Sequence, residues 1–454
     1  MTFGALPDDV LLEIFNLYLD GAVEGGAADA WHSLIHVCRR WRCIVFASPR
    51  RLRLRLLCTP KRRVKTMLDV WPKLPIVISG HFTESRGSST ANIFAALRQR
   101  NRVYQICLRS ISNSLLRHVA ATKGPFPALT DLEVLSSREE GAPVLSDSFL
   151  AGSAPRLLRL KFWGIPFTGL GKLLLSTGDL VYLLLWDIPP SGYIPSEALV
   201  NSLAALSKLK ELSLGFRSPR RRADRPSRQP PPLTRVVLPA LTSLLFQGDC
   251  EYLEDIVSRI DAPLLDNATV TFFNQLIFDT PFLRHFISRT EAFDAPHRAN
   301  LVFSDEYVNV TLFGRKGTAD REVLQLRVSC RASDWQLSSI SQICSSSLPS
   351  FVTLEGLEIH NPREDWQDDM DSEQWLELLR PLTSMKDLVL GKHWIRRVTP
   401  ALQELARERS TEVLPALQNL FLEGKRPPGR VKEVIQKLIA VRQLSGRPVT
   451  LHWL

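Results

Sequence analysis

Residues 238–246, LPALTSLLF, contain a pattern that recurs along most of this chain. An apolar residue is followed by two others, a second apolar residue, one other and a third apolar residue. A proline often precedes the pattern by two positions, as it does in FPALTDLEV (126–134) and LPALQNLFL (414–422). Apolar side chains at alternate positions indicate a strand with one buried face. Each copy therefore predicts one short, half-buried strand.

The copies follow one another at near-regular intervals. The nine copies begin at Val103, Leu129, Leu157, Leu180, Leu209, Leu241, Leu354, Met385 and Leu417. The first six are 26, 28, 23, 29 and 32 residues apart, and the last three are 31 and 32 apart. This spacing lies in the range of leucine-rich repeats or slightly beyond it. Because one such unit cannot bury its own apolar face, stacking of units is required. We therefore expect an irregular leucine-rich-repeat-like α/β solenoid over residues 58–454.

The pattern is interrupted between residues 265 and 354. DNATVTFFNQLIFDTPFLRHFISR (266–289) predicts a strand followed by a helix. VNVTLF (308–313) and VLQLRV (323–328) predict further strands. We expect the solenoid to continue through this segment with degenerate units.

Two charged runs stand apart from the repeats. RSPRRRADRPSRQPPP (217–232) is too rich in arginine, serine and proline to form a core, so we predict a mobile insertion between units. A nuclear-localisation signal or a basic arm for nucleic acid is the functional alternative. The acidic run NPREDWQDDMDSEQW (361–375) lacks the ligand spacing of a calcium loop, so it predicts a charged helix start.

The stretch HVCRRWRCIVF (36–46) has the apolar spacing of an amphipathic helix. At about 100° per residue, one apolar stripe runs along this helix. The stripe comprises Leu34, Val37, Cys38, Trp41, Ile44 and Val45. Its burial would place Cys38 and Trp41 in the core. Three apolar residues are left on the opposite side: Ile35, Cys43 and Phe46.

The upstream segment LPDDVLLEIFNLYL (6–19) also predicts a helix, in which proline and two acidic residues occupy the start. One predicted face comprises Pro7, Val10, Leu11, Ile14, Leu17 and Tyr18, and three further apolar residues lie outside it, Leu12, Phe15 and Leu19. A helix that is apolar on two sides packs against two separate structural elements. A segment of about 50 residues has little core of its own to provide both. We therefore expect another chain to cover part of this helix.

Together, these two segments resemble the F-box. The resemblance rests on Leu6-Pro7, on VLLEIF (10–15) and on VCRRW (37–41). The continuation, residues 48–78, is similar to that of F-box proteins abundant in mushroom-forming fungi. The link DGAVEGGAADA (20–30) departs from the family, because it is longer and richer in glycine and alanine. An unrelated helical pair is the alternative interpretation.

The resemblance implies a small three-helix F-box-like module over residues 1–57, ahead of the solenoid. Such a module docks onto the Skp-type adaptor of a cullin–RING ubiquitin ligase, so the repeat region would bind a protein substrate. The residues implied in adaptor contact are Leu6, Pro7, Leu11, Ile14, Phe15, Val37, Cys38 and Trp41. A scaffold or nucleic-acid-associated protein that does not join a ligase is the alternative function.

The motifs of common enzyme classes are missing from the sequence. It contains no Gly-x-Ser-x-Gly, no His-Glu-x-x-His and no complete Walker loop. We therefore expect no enzyme, no catalytic residue and no cofactor. His32 and His36 are four residues apart, a spacing that would allow them to share a metal with Cys43, but nothing supplies the remaining ligands. We expect no metal site either.

Composition and charge limit the expected compartment and the expected partners. The chain has 454 residues, a net charge of +10 and seven cysteines without a Cys-x-x-Cys, which favours reduced thiols in the cytoplasm or nucleus. The first ten residues lack the basic region of a secretory signal. The most apolar run, residues 180–188, is far shorter than the ~20 residues that span a bilayer, so we expect no membrane association. Neither basic run (50–65, 217–228) is interleaved with aromatic residues, which argues against single-stranded nucleic acid as a partner.

Overall fold

Two compact units make up the part of the chain that the computed structural model describes. The described residues are 6–24, 29–82, 90–122, 124–137, 141–219, 234–293, 296–316, 319–330, 333–348, 353–360, 372–392, 394–405, 413–424 and 429–454. The first unit is Met1–Tyr193 and the second is Ile194–Leu454. The expected α/β class is confirmed, because both units combine helices with largely parallel strands. The domain boundary predicted after residue 57 stays a prediction.

Two of the sequence-based predictions fall largely outside the described residues. They are the mobile loop at 217–232 and the charged helix start at 361–375. Of the acidic run, only residues 372–375 are described, and they form the first turn of the helix Ser372–Leu379.

The first unit begins with three helices and continues with parallel strands that alternate with helices or loops. Its described helices are α1 (Asp8–Glu24), α2 (Trp31–Ile35), α3 (Arg39–Ala47), α4 (Val64–Val70), α5 (Thr90–Leu97), α6 (Asn113–Ala120) and α7 (Leu170–Leu175). Its strands are β1 (Leu56–Cys58), β2 (Ile76–His81), β3 (Val103–Ile111), β4 (Asp131–Ser136), β5 (Arg159–Trp163) and β6 (Tyr182–Ile188). Neighbours in sequence are neighbours in the sheet, and every pairing is parallel.

The alternation in the repeated pattern decides which side of these strands is buried. The register places Ile106, Leu132, Leu160 and Leu183 side by side on β3 to β6. All four are buried, and so are the apolar residues two positions further along each strand. The intervening side chains point to the other face of the sheet, where they are half-buried or exposed. The sheet therefore presents one packed face and one accessible face.

The second unit has the same plan with more strands. Its described helices are α8 (Ser196–Leu203), α9 (Cys250–Arg259), α10 (Pro281–Arg289), α11 (Ser333–Ser347), α12 (Ser372–Leu379), α13 (Trp394–Leu405) and α14 (Gly429–Leu444). Its strands are β7 (Glu211–Phe216), β8 (Val236–Val237), β9 (Ser243–Gly248), β10 (Ile260–Asp261), β11 (Asn267–Phe273), β12 (Pro296–Phe303), β13 (Tyr307–Lys316), β14 (Ala319–Ser329), β15 (Gly356–His360), β16 (Asp387–Leu390), β17 (Asn419–Leu422) and β18 (Thr450–Trp453). The sheet order is β7-β9-β11-β14-β13-β12-β15-β16-β17-β18, and β8 pairs with β10 separately.

All nine copies of the pattern supply strands, namely β3 to β7, β9 and β15 to β17. The strand and helix predicted for 266–289 are β11 and α10, and the strands predicted at 308–313 and 323–328 lie in β13 and β14. The expectation of degenerate units is wrong at β13, which runs antiparallel to β12 and to β14. Only three residues join β12 to β13 and two join β13 to β14. Links this short form hairpins, because a parallel crossover needs a dozen residues or more.

The N-terminal helices differ from their predicted form in two respects. The single apolar stripe predicted from Leu34 to Val45 is wrong, because the helix breaks between α2 and α3. The predicted link at 20–30 is shorter than expected, because α1 continues to Glu24.

Candidate functional site

Helix α1 has one buried and one exposed apolar face. Leu11, Leu12, Phe15 and Leu19 are buried, whereas Val10, Ile14, Leu17 and Tyr18 are 38–71% exposed. Residues spaced by three, four and seven positions share one side of a helix. The four exposed side chains therefore form one continuous apolar surface, which we call the α1 strip.

The helix is interrupted at residues 36–38, which form the corner between α2 and α3. Cys38 adopts an extended conformation (φ −157°, ψ 170°), and its Sγ accepts a hydrogen bond from the Trp41 N–H at 3.4 Å. It thus acts as the N-cap of α3 and satisfies one of the unpaired amides of the first turn. The prediction that Cys38 belongs to the core is wrong, because this capping position leaves it exposed.

Contacts between α3 and α1 hold this corner beside the start of α1. The Arg40 Nη2 donates to the Leu6 carbonyl and to Asp8 Oδ1, both at 2.6 Å. The Trp41 ring packs on Phe15, with the ring centroids 4.6 Å apart. Val37 lies in this corner and is exposed. The corner and the α1 strip therefore belong to the same N-terminal group of helices.

The eight residues predicted to contact an adaptor occupy three different environments. Leu11 and Phe15 are 0% and 1% exposed, so they hold the helices together and present no surface. Two more are half-buried, Leu6 and Trp41, so the prediction of Trp41 as a core residue holds only in part. The remaining four are exposed: Pro7, Ile14, Val37 and Cys38. Val10, Leu17 and Tyr18, which the sequence places on the same helical face as Leu11, are exposed, whereas Leu11 is buried.

Burial and an aromatic cluster account for two of the three apolar residues that the helical projection placed opposite the stripe. Ile35 is buried, and Phe46 lies 6.1 Å from Trp31 and 6.3 Å from Trp71 between ring centroids. Trp71, which follows α4, was not singled out from the sequence. Of the three residues in question, only Cys43 is exposed. The cluster joins α2 and α3 to Trp71, the residue that follows α4.

His32 belongs to this aromatic cluster. Its ring stacks on Trp71 at 5.2 Å with an interplanar angle of 18°. Burial lowers the pKa of His32, although Asp29 nearby opposes the shift. A hydrogen bond from Arg62 lowers the pKa of Asp29. His32 is thus a packing residue, while His36 and Cys43 are both exposed. Within the described ranges no group of three or more potential metal ligands occurs.

The accessible side of β4 to β6 carries aromatic and charged side chains. Trp163 and Trp186 lie side by side, 6.1 Å apart between ring centroids, and the Lys161 ammonium sits 4.9 Å from the centroid of the Tyr182 ring. Glu133 accepts a hydrogen bond from the Arg109 Nε at 2.5 Å. We call this half-exposed surface the β4–β6 face. Aromatic side chains that are already partly desolvated are common anchors of protein interfaces.

The cysteines that the structure buries are poorly suited to nucleophilic chemistry. Burial raises the pKa of Cys58 to about 11 and that of Cys250 to about 12. It also raises the pKa of Cys344. Since the thiolate is the reactive form, these thiols are largely unreactive at neutral pH.

Comparisons with known proteins add no family. A scan against protein-family models gives no match, and a search of curated proteins finds none that is significantly similar. Among the helices of the described residues, none is long and apolar enough to cross a bilayer. The F-box resemblance therefore stays a prediction.

Proposed function

We propose that this chain is the substrate-recognition subunit of a Skp–cullin–F-box type ubiquitin ligase. Residues 1–57 form an F-box-like module that docks onto the Skp-type adaptor. The remaining residues form an irregular leucine-rich-repeat-like solenoid that binds the protein substrate. Ubiquitin transfer takes place on other subunits, and this chain accelerates it by holding the substrate near the charged conjugating enzyme.

The α1 strip is the observation that carries this proposal. Val10, Ile14, Leu17 and Tyr18 remain exposed although the same helix has a second, fully buried apolar face. Covering a half-exposed apolar side chain of this size contributes roughly 1 kcal/mol or more. A partner that covers all four gains roughly 4 kcal/mol from this strip, which offsets part of the cost of association. This strip lies in the segment whose sequence resembles the F-box, where the adaptor would dock.

The β4–β6 face supports the substrate-binding part of the proposal. It combines the two neighbouring tryptophans Trp163 and Trp186 with the ion pair between Glu133 and Arg109. Aromatic anchors beside charged groups are typical of the centre and rim of protein interfaces. A folded or extended protein substrate is therefore better suited to this surface than a small metabolite.

Co-purification with a Skp-type adaptor tests the docking. The informative variant is Ile14→Asp with Leu17→Asp, because both side chains lie on the α1 strip. Charging Leu11 or Phe15 would unfold the helices, since both are buried, and loss of binding would then say nothing about contact. The matched control is Leu175→Asp with Leu276→Asp, which are 65% and 63% exposed and lie outside residues 1–57.

The expected result is that wild type and control retain the adaptor, whereas the α1 strip variant loses it with unchanged circular dichroism. Wild-type protein that does not retain the adaptor would exclude the ligase role and leave a non-ligase scaffold. Equal retention by both variants would show that the α1 strip is not the docking surface.

A further inference from the structure

Positive charge is concentrated in one part of the first unit. Residues 50–125 contain 16 lysines and arginines but only 2 acidic residues, whereas the whole chain has 57 against 47. The rest of the chain is therefore slightly acidic, and the net charge of +10 comes from this segment. An uneven distribution of this kind is a typical footprint of a polyanionic partner.

The basic segment also lines a surface cavity of about 500 Å³. Four of the seven lining residues are cationic: Lys73, Arg98, Arg100 and Arg102. The other three are glutamine, asparagine and proline, so the lining contains neither an acidic nor an aromatic side chain. The cavity lies at the N-terminal ends of β2 and β3, between the turn that follows α4 and the turn that follows α5.

Two hydrogen bonds fix the position of the Arg102 side chain in the lining of this cavity. Its Nε donates to the Leu74 carbonyl at 3.1 Å and its Nη2 to the Pro72 carbonyl at 3.3 Å. Burial lowers the pKa of Arg102, so the guanidinium has lost part of its hydration. An anion in the cavity would compensate for that loss. Lys73 and Arg98 are exposed and can adjust to such an anion.

The cavity is larger than one small anion requires, because it spans about 500 Å³ and four cations line it. It lacks the aromatic and apolar anchors that protein interfaces and base stacking use. Contacts between cations and phosphates alone are instead what sequence-independent recognition of a nucleic-acid backbone needs.

We propose that the cavity around Lys73, Arg98, Arg100 and Arg102 binds the phosphate backbone of double-stranded nucleic acid without reading its sequence. This function goes beyond the proposed ligase role and does not depend on it. Double-stranded DNA carries about one charge per 1.7 Å of axis, so several phosphates reach a surface of this kind together.

Fluorescence anisotropy with the full chain and a labelled 20-base-pair duplex tests the proposal. The variant is Lys73→Glu with Arg98→Glu, and the control is Lys432→Glu with Lys437→Glu, which makes the same charge change on exposed positions of α14. Two lost phosphate contacts at a salt slope of about 0.9 each correspond to about 60-fold weaker binding at 0.1 M salt. The variant should show this loss and a salt slope lower by about 2, while the control and a duplex of unrelated sequence should bind as wild type does.

Three results would overturn the proposal. Wild-type protein that does not bind the duplex at 50 mM salt would do so directly. Equal loss in the variant and the control would reduce the effect to general charge. Displacement of the duplex by poly-glutamate of equal charge, at equal concentration, would point to an acidic protein segment instead. The basic run at 217–228 is present in both variants, so it does not affect the comparison.

Discussion

Replacing Trp31 by alanine should loosen the N-terminal helices and the first strand of the sheet together. Trp31 is almost fully buried, its Nε1 donates to the Arg55 carbonyl at 2.9 Å, and its ring meets Trp71 edge-on at 5.5 Å. Truncating a buried tryptophan to alanine costs about 3–5 kcal/mol. Arg55 lies directly before β1, so the lost hydrogen bond and packing weaken the strand as well as α2.

Hydrogen exchange measured by mass spectrometry resolves this effect locally. A cost of about 3–5 kcal/mol corresponds to roughly 150- to 4000-fold faster exchange, and peptides covering α2, α3 and β1 should show it together. Trp31→Phe keeps the ring packing but leaves the Arg55 carbonyl unpaired, so its cost should be about 1 kcal/mol. Trp163→Ala on the β4–β6 face is the control and should leave these peptides unchanged. If α2 and α3 lose protection while β1 keeps it, the inferred coupling does not exist.

Two further predictions concern buried polar groups. Lowering the pH from 7.5 to 5.5 should lower the protection factors of the α2 amides, measured relative to the intrinsic exchange rate at each pH. Burial lowers the pKa of His32 in the folded state, so the stability present above about pH 6.5 is lost as the unfolded state gains a proton below it. His32→Phe should abolish this dependence. The buried Glu254 carboxylate accepts hydrogen bonds from the Phe282 and Leu283 amides, at 2.9 and 2.7 Å, at the start of α10. Replacing Glu254 by alanine should therefore destabilise the second unit by about 2–4 kcal/mol in urea unfolding. Glu433→Ala is the control and should not.

The strands were readable from the sequence because alternation is a local signal. Each copy of the pattern places its apolar residues on one side of one strand, and the register then aligns residues such as Leu132 and Leu160. The antiparallel course of β13 was missed although its signal was present. The three-residue link between Phe303 and Tyr307 is too short for a crossover helix.

Local sequence patterns do not predict which face of α1 is buried or where the helix is interrupted before α3. Both faces of α1 are apolar, and tertiary contacts such as that of Trp41 with Phe15 decide which face is covered. Periodicity continues across the break at residues 36–38, so a helical projection passes over it. The break depends on the Cys38 cap, and cysteine is not among the residues that favour that position. These features arise from tertiary packing that one sequence does not encode as a pattern.

Titration calorimetry of the purified full chain with a purified Skp-type adaptor tests the proposed function most directly. We expect one-to-one binding with a negative heat-capacity change, because the α1 strip would move from water into an apolar contact. Ile14→Asp with Leu17→Asp should weaken binding by about 100-fold or more, since two carboxylates would be buried in that contact. Absence of binding by the wild type, or binding that this variant leaves unchanged, would contradict the assignment of residues 1–57 as an F-box-like docking module.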